Sequence, residues 1–477
     1  MWQNKIQTLW ESISNANPFD MVCKTLDPSS GLMIGKSYAD LISDMQKLDS
    51  LIGPSGQLKI VLLMDKSYFS LVSVLFCLLK GHCFIPIFSG SKISSDTILS
   101  VAPDYIFCTN DNAYPFRSAN LRSIFELQAA HSNQNFQARS AIAEDNAYII
   151  STSGTTGRPK LIPVTYSNFN AYIENILPII KDKSQFHLLQ NFEISFDPYL
   201  FDIVATIYNT SCLVPISHAD IRNLEKLISK IHGPIWISLT PSQADLIQSL
   251  FKGKTFSSVK RSFFLGEKLK TSLCLDWGEL FPTTEMYNMY GPAETTISIS
   301  WHKFSTNTDK NTFVPIGKIH SDHEFKLSSA NELLIKGPQV FPGYLGSQAS
   351  EEWFNTHDVV ELIDSKLFVT GRSDFQIKIN GRRFQPEEME LALSTAGISG
   401  YIVSVTKDEK HKTKTHLVFV TQNKSLNLNE LLKTLQHKYD IDFIPKRILY
   451  IETYPTSQNG KIDRTKLALD ALKTDLG

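Results

Sequence analysis

The sequence has almost no net charge, few cysteines and no long apolar run, and each shortage removes a class of function. Lysine and arginine total 47 against 48 aspartates and glutamates, a formal net charge of -1. That balance gives no electrostatic footprint for nucleic acid or an anionic membrane as the main partner. The six cysteines (Cys23, Cys77, Cys83, Cys108, Cys212, Cys274) are scattered, with no CxxC pair and no metal-like grouping with histidine. Buried, reduced thiols in a cytosolic protein are the expectation. The most apolar stretch, Tyr68–Leu79, runs for a dozen residues, too short to cross a bilayer and better suited to a buried helix. The first twenty residues are polar and mixed in charge, unlike a signal peptide, so a cytoplasmic location is expected.

What is present describes a multidomain globular chain. At 477 residues it is too long for one core, and 42% apolar with 20% charged residues is ordinary soluble composition. Strand-like runs alternate with helical ones: strands at Lys59–Met64, Cys83–Ile87, Asp104–Cys108, Ala147–Ser151, Ser211–Ile216, Ile235–Leu239 and Ser262–Leu265, helices at Tyr68–Leu79 and Thr165–Ile180. Such alternation predicts parallel sheet with crossover helices. From Phe313 to Phe368 the spacing shortens and glycines rise, as in a small β-barrel-like part. Beyond Arg372 come a strand, a turn at Asn380–Gly381, and a helix from Pro386 with Glu387, Glu388 and Glu390 in its first turns, where negative charge suits the helix N-terminus. The fold class expected is α/β: a large N-terminal domain of stacked α/β sheets plus the β-barrel-like part (1–373), then a smaller, mobile α+β C-terminal domain (374–477).

The segment 151–160 reads STSGTTGRPK. Its glycines let backbone N–H groups approach phosphate oxygens, its hydroxyls add donors, and Arg158 or Lys160 adds charge. The order is not that of the usual P-loop. With this loop and the motifs that follow it, the chain resembles the adenylate-forming superfamily of acyl-CoA ligases, luciferases and peptide-synthetase adenylation domains. The segment 288–296, NMYGPAETT, is similar to that family's aromatic-Gly-x-x-Glu-Thr motif; residues 356–358, THD, stand where it has Thr-Gly-Asp. Residues 369–390, VTGRSDFQIKINGRRFQPEEME, match its hinge segment, and 459–464, NGKIDR, its C-terminal signature.

The resemblance implies ATP and Mg2+, and it distributes roles. Thr152, Ser153, Gly154, Thr155, Thr156, Gly157 and Lys160 would surround the phosphates, with Thr152 among the catalytic groups. Asn288, Met289, Tyr290, Gly291 and Thr295 would line the nucleotide, with Tyr290 stacked on adenine, and Glu294 would hold Mg2+. Asp358 and Arg372 would contact the ribose. Lys461 would bridge the substrate carboxylate and the α-phosphate during attack, where preorganised cations and N–H donors supply most of the catalysis. The small lobe would then rotate about Asp374, bringing Lys378 and Gly381 towards the site for thiol attack.

The segment 194–202, ISFDPYLFD, is similar to the one in which amino-acid-activating members set an Asp, here Asp197, against the α-ammonium. The bland alternative is an Asp capping a helix that starts at Pro198. The pocket carried over by motif is Pro198, Phe201, Ser238, Phe263, Leu265, Gly266, Met289, Ile297 and Ser298, mostly apolar, which suits a small, uncharged amino acid. Within the superfamily the likeness is to standalone adenylation domains and to D-alanine–carrier protein ligases, through SDFQIKINGRRF, TPSQADL and FFLGEKL. The chain departs from those ligases at Leu265, where they have Cys, and from the superfamily at His357, where it has Gly. Only 13 residues follow Arg464, so the expected acceptor is the phosphopantetheine thiol of a separate carrier protein, with a monomeric enzyme acting in trans. An acyl- or aryl-CoA ligase using the same adenylate chemistry is the alternative, and a silent adenylate-binding protein is the third reading.

Overall fold

The computed structural model describes residues 5–27, 30, 32–53, 55–90, 98, 100–108, 121–123, 135–152, 160–307, 309, 311–347, 351–374, 377–379, 382–384, 386, 389–390, 393, 401–407, 415–421, 428–436, 439–440, 443–445, 447–455 and 467. Runs such as Cys83–Ile87 and Ile235–Leu239 are buried along their whole length, the pattern of parallel strands covered on both faces. They belong to two sheets.

The six-stranded sheet runs Leu121–Ser123, Tyr105–Cys108, Lys59–Leu63, Cys83–Ile87, Asn146–Thr152, Lys160–Thr165. All its neighbours are parallel except the last pair, which is antiparallel with Thr152 opposite Lys160. The Ser/Thr/Gly loop is therefore the connection at the end of that pair. The nine-stranded sheet runs Lys318–Ile319, Ser300–Lys303, Glu285–Tyr290, Val259–Phe264, Ile235–Leu239, His187–Gln190, Cys212–Pro215, Met21–Leu26, Met33–Ser37. Its central strands are parallel and its outermost pairs antiparallel.

Helices Lys5–Asn15, Tyr68–Lys80, Tyr166–Ile180 and Pro198–Tyr208 share one core with residues of both sheets, among them Phe84 and Ile150 from one and Leu188, Trp236 and Phe263 from the other. They are the filling between two sheets, which explains why Tyr68–Lys80 is apolar around almost its whole circumference. A capping box at Ser67 starts that helix and left-handed Gly81 ends it. Helices Pro241–Leu250 and Thr271–Leu280 cover the outer face of the nine-stranded sheet through a second core containing Trp277 and Phe281. All six cysteines are buried free thiols. No helix among the described residues is long and apolar enough to cross a membrane.

The β-rich part expected from Phe313 to Phe368 is an antiparallel four-stranded meander, Glu324–Leu327, Glu332–Lys336, Phe354–Ile363 and Lys366–Arg372. Beyond it Ile377–Ile379 pairs with Arg382–Phe384, followed by a three-stranded sheet and helix Leu428–Gln436. These pack around their own core of Ile379, Phe384, Met389, Val403, Phe419 and Leu431, giving the large N-terminal and smaller C-terminal parts of a mixed α/β protein.

His82 links these layers to acid stability. It is buried, its Nδ1 accepts from the Leu58 N–H at 3.3 Å, and burial, aided by Lys80 and Arg139, lowers its pKa from 6.5 to about 4. A folded-state pKa below the unfolded one favours the native state above pH 6.5 and withdraws that support as pH falls towards 4. A shift of this size is worth on the order of 3 kcal/mol at most. His82→Asn, whose side-chain oxygen replaces Nδ1 as acceptor, should flatten the fall of the urea midpoint between pH 6.5 and 4; a slope equal to wild type would assign acid lability elsewhere.

Candidate active site

Strand Glu285–Tyr290 ends in Gly291 and the chain returns as Ser300–Lys303, its antiparallel neighbour. The excursion between them is tight. A Cβ on Gly291 would lie 2.5 Å from the Ser298 Cα and 2.8 Å from the Ile297 carbonyl oxygen, so glycine is required there. Thr296 and Ile297 have φ of 57° and 68°, left-handed values that β-branched residues adopt only under constraint. The constraint is Gln339. Its buried side-chain NH2 donates to the carbonyls of Thr295, Thr296 and Ser298, at 3.3, 3.2 and 2.8 Å. Asn175 Nδ2 donates to its Oε1 at 2.9 Å, and the Thr296 hydroxyl donates to the Gln339 carbonyl at 2.7 Å.

This clamped turn carries Glu294, which is 2% exposed. Tyr344 Oη donates to Glu294 Oε1 at 3.0 Å, and Lys160 Nζ stands 5.0 Å from the centre of the Tyr344 ring. The end of the Ser/Thr/Gly loop and the Glu294 turn are thus joined through one tyrosine. Thr295 closes its own turn by donating to the Pro292 carbonyl. Asn288 Nδ2 holds the carbonyls of Val314 and Pro315 at 3.3 and 2.9 Å.

A second network assembles residues from distant motifs. Tyr290 Oη donates to Asp358 Oδ2 at 2.7 Å, and Arg372 Nη1 donates to Asp358 Oδ1 at 2.8 Å. Arg372 also grips both oxygens of Asp374, at 2.7 and 2.8 Å, the fork geometry that lysine cannot supply. Burial works to lower the arginine's pKa, but Asp374 and Asp358 outweigh it and raise it. Burial, then Asp358, pushes the Tyr290 hydroxyl well up. His357, standing where the superfamily has glycine, adopts φ of 58°, within the left-handed region that histidine visits more readily than most residues. Its N–H donates to Asn355 Oδ1 at 2.8 Å, and the neighbouring Asp358 still reaches Tyr290 and Arg372.

Of the residues expected at the substrate, Asp197 precedes helix Pro198–Tyr208 but makes no side-chain cap hydrogen bond, so the capping alternative fails. It is 5% exposed. Its charge, after burial, pushes the hydroxyls of Tyr148 and Tyr172 well up. Phe201 and Phe263 meet edge to face with centroids 4.8 Å apart, and Leu265, Met289 and Ile297 join them in the central core. Buried Pro198 begins the helix, and Gly266 takes φ of 88°. Fully buried Ser238 lies beside Phe263 in register, and its hydroxyl donates to Asp202.

Residues 108–345 match the family model described as AMP-binding enzyme. The chain belongs to the adenylate-forming superfamily. D-alanine–D-alanyl carrier protein ligases of Staphylococcus aureus are 26% identical over 463 residues, covering 91% of this chain and 93% of the relative. The fold matches a Vibrio cholerae adenylation domain, AlmE, in complex with glycyl-adenosine-5'-phosphate, at TM-score 0.83 and 20% identity, over 99% of this chain and 98% of the other. It also matches an o-succinylbenzoate CoA synthetase, MenE, of Bacillus subtilis, at TM-score 0.79 and 18% identity, over 96% and 97% of the two chains. The chain is therefore an adenylate-forming ligase. AMP-ligase folds for amino acids and for aryl acids match alike, so overall shape leaves the carboxylate open.

The residues 153–159 and Lys461 lie outside the described residues. Thr152 and Lys378 are placed by backbone alone, Thr152 opposite Lys160 and Lys378 opposite Arg383. Reading the sequence missed Gln339, Tyr344 and Asp202. For Gln339 the signal was available: an uncharged polar residue within KGPQVFPGYL, between residues that pack the core.

Gln339→Leu leaves the carbonyls of a strained, buried turn unsatisfied, at a cost on the order of 2–4 kcal/mol. Adenylation kcat/KM should fall at least tenfold and the Tm by several degrees. A variant with lowered Tm but wild-type kinetics at a temperature where it is fully folded would confine Gln339 to stability.

Proposed function

We propose that this ligase activates a small, uncharged amino acid as aminoacyl-AMP, releasing pyrophosphate, and transfers it to the phosphopantetheine thiol of a separate carrier protein. The observation that carries the reading is Asp197, a carboxylate buried at a helix start without a side-chain cap hydrogen bond, alongside a motif-derived pocket whose residues Phe201, Phe263, Leu265, Met289 and Ile297 are apolar and share one core. An α-ammonium matches such a group in charge and hydrogen-bonding capacity, whereas a fatty or aryl acid offers nothing to it. The relatives that are D-alanine–D-alanyl carrier protein ligases support a carrier thiol as acceptor. The neighbour bound to glycyl-adenosine-5'-phosphate supports a small amino acid.

In this reading the carboxylate attacks the α-phosphorus while pyrophosphate leaves. Glu294 offers a hard oxygen to Mg2+, whose usual donor set is one or two carboxylates plus the nucleotide's phosphates; the ion neutralises phosphate charge when bound. Asp358 and Arg372 meet the ribose, Tyr290 lies against adenine, and the loop from Thr152 to Lys160 surrounds the phosphates. Lys461 orients the two reactants, and turning of the small lobe about Asp374 exchanges Lys461 for the Lys378 strand before thiol attack. The division 1–373 and 374–477 belongs to the same proposal.

Substrate-dependent ATP–pyrophosphate exchange across proteinogenic amino acids, D-alanine, and aryl and fatty acids tests it. A small amino acid should drive exchange, and Asp197→Ala should raise that amino acid's KM at least tenfold while ATP binding persists. Exchange driven only by aryl or fatty acids, untouched by Asp197→Ala, would favour the CoA-ligase reading that the MenE-like fold keeps open. Separately, Lys461→Ala should remove most adenylation while thiol transfer from supplied aminoacyl-AMP continues; equal loss of both steps would contradict its role.

A further inference from the structure

Beside Ser238 and Phe263 lies a buried polar group that the family motifs do not mention. Gln190 ends strand His187–Gln190 and is the register partner of Ser238, which is in turn the partner of Phe263. Register partners on neighbouring parallel strands present side chains to the same face, so Gln190, Ser238 and Phe263 form one row. The Ser238 hydroxyl crosses from that row to Asp202 on the helix that begins at Pro198. Thr206 lies one turn further along the same helix face. All four polar residues are fully buried.

Their hydrogen-bonding capacity is largely unused. Both polar atoms of the Gln190 amide, Oδ2 of Asp202 and the Thr206 hydroxyl have no hydrogen-bond partner. Buried polar groups are nearly always satisfied, and each orphan costs about 1–3 kcal/mol. Four orphans on one strand row and the helix face above it, with Gln190 and Ser238 towards the carboxyl ends of their parallel strands, where α/β proteins bind ligands, mark a subsite awaiting a partner. The subsite and the ammonium end share one helix: Asp197 is its N-cap and Asp202 lies in its second turn, directly after Phe201.

We propose that Gln190, Asp202 and Thr206 are specificity-determining residues that, with Ser238, bind the end of the substrate's side chain, and that this end is a hydroxyl. The inference rests on the amino-acid reading above and narrows it. A hydroxyl both donates and accepts, matching an amide, two alcohols and a carboxyl. Burial, against the pull of the Ser238 hydroxyl and Lys66, raises the Asp202 pKa, which disfavours a charged carboxylate here and with it a cationic partner. Sites built to hydrogen-bond a substrate hydroxyl discriminate strongly against the analogue lacking it, because their own groups are then left unpaired.

The test is ATP–pyrophosphate exchange with isosteric pairs in both enantiomers: serine with 2-aminobutyrate, threonine with valine, homoserine with norvaline. Diaminopropionate and an aryl-acid set accompany them. For at least one pair the hydroxylated member should exceed its apolar partner at least tenfold in kcat/KM. Asp202→Leu, Gln190→Leu and the milder Thr206→Val should each pull that ratio towards one, while dependence on Asp197 survives. The mild variant keeps the test open if the others do not fold. Ratios near one in wild type would mean that the cluster holds only water, and a preferred diamino acid would replace the hydroxyl by a cation; either overturns this inference but leaves the amino-acid reading standing. Exchange with aryl acids alone overturns both.

Discussion

The close approach of Gly291 to Ser298 is the constraint on which the site depends. Within the nine residues from Tyr290 to Ser298, one connection must present a tyrosine to Asp358, a carboxylate to Tyr344, and Ile297 to the central core. A relaxed loop could not turn so sharply and still rejoin the sheet as the strand beside the one it left. The chain turns by holding Thr296 and Ile297 in left-handed backbone, which costs on the order of 1–3 kcal/mol for each residue. Gln339 offsets that strain with three hydrogen bonds from a single buried amide. Because the amide lies beyond strand Glu332–Lys336, the four-stranded meander is needed to shape a turn that belongs to the nine-stranded sheet.

The same economy runs through the second network. Asp358 and Arg372 face each other across strands Phe354–Ile363 and Lys366–Arg372, and Asp358 accepts from Tyr290 of the larger sheet. Arg372 must satisfy two carboxylates at once. Its fork reaches Asp374 with two nitrogens and Asp358 with the third, so the arginine fixes the direction in which the chain leaves the meander. A ribose entering this corner would meet a preorganised acceptor and donor rather than solvated side chains, and preorganisation spares reorganisation on binding.

How much of this was legible in the sequence varied with the signal each residue leaves. Tyr68–Lys80 was readable because an unbroken apolar run between a serine cap and a glycine has few other outcomes. Strand Val259–Phe264 was read three residues short at its start, because Lys260 and Arg261 look like surface loop. In the structure Arg261 stacks over Trp236 and pairs with Asp182 and Glu285, so the charges sit at the sheet margin without ending the strand. Strands His187–Gln190, Glu285–Tyr290 and Met21–Leu26 were not recognised, being short and mixed in composition. In the site, residues within contiguous motifs were visible, and His357 was flagged as a departure whose backbone turns out to do what glycine does. Asp202 left no signal, and the segment around Gln339 marked the residue without naming its partners, because each works through groups tens of residues away and local pattern carries no information about long-range pairing.

Asp197 and Asp202 make the same point about chemistry. Both are carboxyls on one helix, five positions apart, and sequence alone gives no reason to treat them differently. Their surroundings do. Asp197 stands at the helix start, where backbone N–H groups and the helix dipole favour negative charge. Asp202 lies inside the helix, fully buried, with one serine hydroxyl as its hydrogen-bond partner, and burial drives it towards the neutral acid. One position therefore suits a cation and the other a neutral hydrogen-bonding group, the usual outcome when environment pushes two like acids apart. An α-ammonium at the first and an uncharged polar terminus at the second would use both at once. A pocket spanning them would select by the distance separating two polar ends, with the aromatic pair Phe201 and Phe263 limiting how much carbon could lie between.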